Sequence, residues 1–162
     1  MLRTVSALLA TGLLLTGCEQ DATIEATDRG AAAEPQEVTM KDFGDHVVHF
    51  GAMSTDLLQP EIARTYNIVR SKNRAMINVS ILKKAEGPVG TPVNGDIKIN
   101  ANNLTGQVKN LSLRRIQEGD AIYYIGDVPV ANAETLVFNL EVTPEGGTEA
   151  YPVRFTRQFF SD

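Results

Sequence analysis

Apolar and polar residues alternate with a period of two along most of this chain, and that alternation limits the fold more than any other feature. In AMINVSIL, Ile77, Val79 and Ile81 fall on one face, with Asn78 and Ser80 on the other. ETLVFNLEVT repeats the pattern, with Leu136, Phe138, Leu140 and Val142 inward. A strand sends successive side chains to opposite faces, so these segments read as half-buried strands. DHVVHFGAM (Asp45–Met53) supplies a first strand, and NGDIKINAN a weaker one with Ile97 and Ile99 inward. In QVKNLSLRRI, Leu111 and Leu113 are in phase while Ile116 is not, which predicts one strand with a bulge at Arg114-Arg115. AIYYIGDV is apolar on both faces and belongs in the middle of a sheet. AYPVRFTRQFF closes the chain, and Pro152 places it at a sheet edge.

Between the first two strands, STDLLQPEIARTYN predicts one short helix. Pro60 suits the first helical position and Glu61 the first turn. Ile62, Ala63 and Tyr66 share a face, and Asn67 closes the end in a left-handed conformation. Seven predicted strands separated by Gly, Pro and Asn turns imply an all-β fold with one short helix. The expected architecture is an antiparallel β-sandwich of the immunoglobulin or fibronectin type III kind, with a small β-barrel as the alternative. No Cys…Trp…Cys signature is present, so the expectation rests on strand count and pattern.

The start of the chain is different in kind. Arg3 precedes an apolar run, Val5–Leu15, of the length of a secretory signal and too short to span a bilayer. It ends in Leu15-Thr16-Gly17-Cys18, and Cys18 is the single cysteine of the chain. These residues resemble a bacterial lipobox, which implies that the Cys18 sulfur accepts a diacylglyceryl group and that cleavage occurs before it. Glu19 follows where inner-membrane retention signals carry Asp, pointing to the outer membrane with the domain facing the periplasm. Residues 19–42 hold seven acids and two bases with few bulky apolar groups, the composition of a disordered tether. The expected organisation is a signal peptide at 1–17, a lipid-anchored tether at 18–42 and one domain at 43–162.

Most of the net charge of −5 lies in the tether, leaving the domain with twelve basic and thirteen acidic residues. A near-neutral domain argues against a nucleic-acid partner. His46 and His49 are three apart on a predicted strand and so face opposite ways, which separates them as metal ligands. There is no H-E-x-x-H, no phosphate-cradling glycine loop and no G-x-S-x-G elbow. No catalytic residue, metal site or cofactor is therefore expected. The densest charge is Arg70, Lys72 and Arg74 within RSKNR, a candidate anion contact for a lipid phosphate, an acidic glycan or an acidic face of an envelope protein.

Several stretches, among them DFGDHVVHFGAMSTDLL, PEIARTYNIVRSKNRAMINVSIL, EGDAIYYIGDVPV and VRFTRQFFSD, resemble a family of bacterial envelope proteins known as domain of unknown function 4426. The resemblance covers Asp42–Asp162 and implies an exported, β-rich domain; it carries over no catalytic residues. The functional expectation is a lipid-anchored envelope protein acting as a non-catalytic binding or structural module. An envelope hydrolase with a fold-assembled acid/base pair is the alternative, and a carrier of a small apolar ligand between the sheets is a third.

Overall fold

The computed structural model describes residues 39–85 and 90–161. The expected signal peptide, the expected lipobox with Cys18 and most of the expected tether lie outside the described residues. Ten strands form two antiparallel sheets: β1 (Met40–Asp42), β2 (His46–Ser54), β3 (Arg74–Lys83), β4 (Thr91–Pro92), β5 (Gly95–Asn103), β6 (Val108–Lys109), β7 (Arg114–Glu118), β8 (Ala121–Pro129), β9 (Glu134–Pro144) and β10 (Tyr151–Phe159). The first sheet runs β1-β2-β3-β8-β7, with β4 also on β3, and the second runs β10-β9-β5-β6. Taking β2, β3, β5, β7, β8, β9 and β10 as A to G, with β6 as C′ and the two-residue β4 left unlettered, the order is A-B-E-D facing G-F-C with a short C′, which is the immunoglobulin plan. The sheets remain open, so the sandwich holds and the barrel alternative does not.

Alternation positions the core as expected. Ile77, Val79 and Ile81 of β3 are buried, as are Leu136, Phe138, Leu140 and Val142 of β9. The two inner faces meet through aromatic rings. Phe50 of β2 lies 4.9 Å from Phe155 of β10, which stacks on Phe138 at 4.8 Å. Each such side chain removed from water contributes about 2–3 kcal/mol. Tyr123 and Tyr124 split across β8. Tyr124 enters the core and accepts the Gly95 N–H at 2.8 Å, while Tyr123 faces out beneath the helix.

The helix α1 (Pro60–Thr65) follows a 3-10 turn at Thr55–Leu57. Pro60 opens it, and Asn67 ends it in the left-handed region at φ 50°. The neck of this insertion is tied by buried Thr55. Its hydroxyl donates toward the Val69 and Ser71 carbonyls and accepts the Ser71 N–H. Leu58, Ala63 and Ile68 pack a second, smaller core on the outer face of the first sheet.

Two boundaries differ from the sequence reading. Met40–Asp42, placed in the tether, is a strand on β2, so the domain begins before Phe43. All three residues are exposed, and β1 is held by backbone pairing and by polar contacts of Lys41 with the Pro152 carbonyl and of Asp42 with Lys84, which leaves no hydrophobic pattern to read. The predicted bulged strand through Arg114-Arg115 is two strands in different sheets. β6 pairs with β5 and β7 with β8, and the chain crosses between the sheets at residues 110–113. Leu111 and Leu113 still pack on the core, from the crossing segment.

Candidate functional site

The outer face of the first sheet is only partly covered. The β2–β3 register sets His49 opposite Ser80, Gly51 opposite Asn78 and Met53 opposite Met76. All six belong to the outward parity, because their neighbours Phe50, Ala52, Ile77 and Val79 fill the core. Two hollows lie on this face. One, of about 370 Å³, runs over β2 and β3 and reaches Thr39. The other, of about 280 Å³, lies beneath α1 between Leu58, Ile68, Ile116 and Ile125. They adjoin, sharing Met76 and Asn78.

Three features make this a built groove. Gly51 leaves its floor open, since a Cβ there would meet nothing within 4 Å. Met53 and Met76 give it walls that re-pack around irregular shapes. The Oδ1 atom of Asn78 is buried without a hydrogen-bond partner, at the junction of the hollows. The lining is mixed, apolar at Met53, Met76 and beneath α1 and polar at His49, Asn78 and Ser80, so the groove is a candidate ligand or partner site. At the far end the Tyr66 hydroxyl donates to Glu118 at 2.7 Å. That hydrogen bond to a carboxylate, with burial adding to it, holds the Tyr66 pKa above its ordinary value, so the phenol stays a donor. The Arg114 guanidinium donates to the Tyr66 carbonyl and fixes the wall.

A larger concavity, about 560 Å³, lies on the outer face of the second sheet. Its floor is exposed Lys98, Asn100, Glu141 and Arg154, with Lys98 opposite Glu141 across the strands. Every one of these side chains is already in water, so the groove on the first sheet is the better site.

The Arg70–Arg74 cluster does not stay together. Arg74 begins β3 and pairs with Asp127 of β8, its Nε donating at 2.7 Å. Arg70 donates to the Asp56 carbonyl at 2.6 Å. Arg70 and Lys72 are exposed in the loop at the same end of the sandwich, while Arg74 is held on the sheet by Asp127. Arg115 lies apart on β7, donating to Asn94. The histidines separate as expected: His46 meets the Tyr151 hydroxyl at 3.3 Å, while His49 faces the groove. Among the described residues, no three His, Cys, Asp or Glu side chains gather as a metal-ligand set.

With this geometry in place, three comparisons bear on the chain. A family profile described as a domain of unknown function, DUF4426, matches residues 40–162. Its start coincides with that of β1. A search of curated proteins finds no match. Among solved structures, the chain is similar to a crystal structure of a DUF4426 family protein from Pseudomonas aeruginosa PAO1. The two share 35% sequence identity over 76% of this chain and 94% of that one, with a TM-score of 0.64.

Proposed function

The chain belongs to the DUF4426 family, and from that premise we propose that it is a lipid-anchored envelope protein whose sandwich is a non-catalytic binding module. Cys18 carries the lipid, on the outer membrane, and the groove over β2 and β3 receives a segment of an envelope polypeptide. The observation that carries the reading is the junction of the two hollows at Asn78. A buried acceptor without a donor costs about 1–3 kcal/mol, which a bound N–H or O–H would recover.

Gly51 supplies the test. Phenylalanine there meets no atom at its Cβ and suits a strand better than glycine, so Gly51→Phe keeps or slightly raises stability while filling the hollow. In cells, a photo-crosslinking side chain at Ile62 is expected to capture one envelope polypeptide in the Gly51 chain, with capture falling at least tenfold in Gly51→Phe. Equal capture by both would remove the groove from the function. The anchor has its own test: Cys18→Ala is expected to abolish incorporation of labelled fatty acid and leave the unfolding midpoint of the domain unchanged. Label retained in that variant would refute lipidation at Cys18.

A further inference from the structure

One end of the sandwich gathers most of the apolar surface that the fold leaves uncovered. The ends of β2, β5, β8 and β10 and the start of β3 lie at this pole, as the register shows. Asn103 is opposite Leu136, Phe159 opposite Glu134, and Arg74 opposite Pro129. Seven large hydrophobic side chains are exposed among the described residues, and five of them are here: Leu57, Val69, Leu104, Val108 and Phe160. Each is more than 60% exposed, with Leu104 at 73%. Single exposed apolar residues are ordinary on a protein surface, but five at one pole are a feature of that pole.

We propose that this pole rests on the lipid surface of the membrane that anchors the chain; the proposal builds on lipidation at Cys18 but not on the groove. Three observations select a bilayer over a protein partner. First, the apolar residues do not form one pit. Phe160 follows the edge strand β10 and Val108 lies in the opposite edge strand β6, three strand spacings or about 14 Å apart. A plane reaches all of them at once. Second, the chain enters from this side. β1 runs antiparallel to β2 with Met40 opposite His49, so its start points toward the end where β2 finishes at Ser54. Twenty residues of sequence, 19–38, separate Cys18 from Thr39. Third, Arg70 and Lys72 are exposed at the same pole, where anionic headgroups would meet them. Apolar tips bounded by cations are the composition of an interfacial contact. Of the anions expected for the basic loop, this placement selects lipid phosphate. The groove then opens along the side of the domain, with the membrane at its end.

The chain has no tryptophan, so one can be introduced as a depth probe. The full chain, carrying either Phe160→Trp or Thr148→Trp, is reconstituted in phosphatidylethanolamine/phosphatidylglycerol vesicles with brominated acyl chains. Thr148 is exposed in the β9–β10 turn at the opposite pole. Expected are a blue-shifted emission and at least threefold stronger quenching for Phe160→Trp than for Thr148→Trp. Equal quenching of the two would overturn the proposal. Acylation is read separately, from the mass of the purified chain. If Cys18 carries no lipid, the anchor reading fails alone, and the same pair of variants at raised lipid concentration still decides the pole. If Phe160→Trp sees no lipid but Leu104→Asp/Phe160→Asp releases a cross-linked polypeptide, the surface belongs to that partner and the lipid proposal falls.

Discussion

Replacing Gly126 with valine is expected to destabilise the domain by about 3 kcal/mol or more. Gly126 lies on the core side of β8, between Tyr124 and Val128, and is buried. The segment that carries the chain from the second sheet to the first is pressed against it. A Cβ at this position would sit 2.4 Å from the Ser112 carbonyl oxygen and 2.9 Å from Leu111 Cδ1. The first contact is with backbone and cannot be relieved by a rotamer change. Either the crossing segment lifts, exposing Leu111 and Leu113, or β8 shifts out of register with β3. Gly51→Val is the matched control, because it makes the same change in an open position. Urea unfolding of both variants checks the argument. A Gly126→Val midpoint equal to that of Gly51→Val would mean that the crossing does not pack where the structure places it.

That glycine also marks what the sequence allowed to be read. Strands with one buried face were legible because burial imposes period two on them; β3 shows it residue by residue, and β9 from Phe138 onward. The helix was legible from Pro60 and Asn67, whose backbone preferences act locally. The crossing was not. Leu111 and Leu113 are in phase whether the segment pairs as a strand or merely plugs the end of the core. A strand of two residues, β6, leaves no pattern. The available signal was Gly126 itself, a side-chain-free position inside an apolar strand, which marks close approach of another backbone. The groove was hidden for a related reason. Gly51, Met53, Met76 and Asn78 come from two strands, and only their register makes them one surface. The Arg70–Arg74 run did not show that its third charge belongs to a strand. Arg74 finds Asp127, 53 residues away, and sequence spacing carries no trace of that pairing.

Lys109→Met is expected to cost about 3 kcal/mol at neutral pH, or roughly 10 °C in unfolding midpoint. Lys109 of β6 and Glu134 of β9 form an ion pair at 2.7 Å, with side chains only 13% and 10% exposed. Glu134 also accepts the Ala131 N–H at 2.9 Å and the Asn103 amide at 3.1 Å, so the β5–β6 hairpin is tied to the β8–β9 turn. Burial pushes the Glu134 pKa up, but the hydrogen bonds from Lys109, Ala131 and Asn103 outweigh it and hold the pKa below its ordinary value. The folded state therefore binds this proton less readily than the unfolded chain does. Its stabilisation is complete above the unfolded value, about 4.3, and is lost as pH falls through the lowered folded value. In Lys109→Met the carboxylate stays buried without its cation, and burial then raises its pKa. Protonation relieves that uncompensated charge in the variant, while in the wild type it removes a favourable pair. The stability gap between the two should accordingly be widest near pH 7 and close as pH falls below about 4. Glu134→Gln should flatten the same acid limb, since it leaves no proton to bind. Denaturant titrations of the three chains between pH 7 and 3 measure this directly. A gap that stayed constant across that range would place the cost of Lys109→Met in lost aliphatic packing along β6 and not in the ion pair.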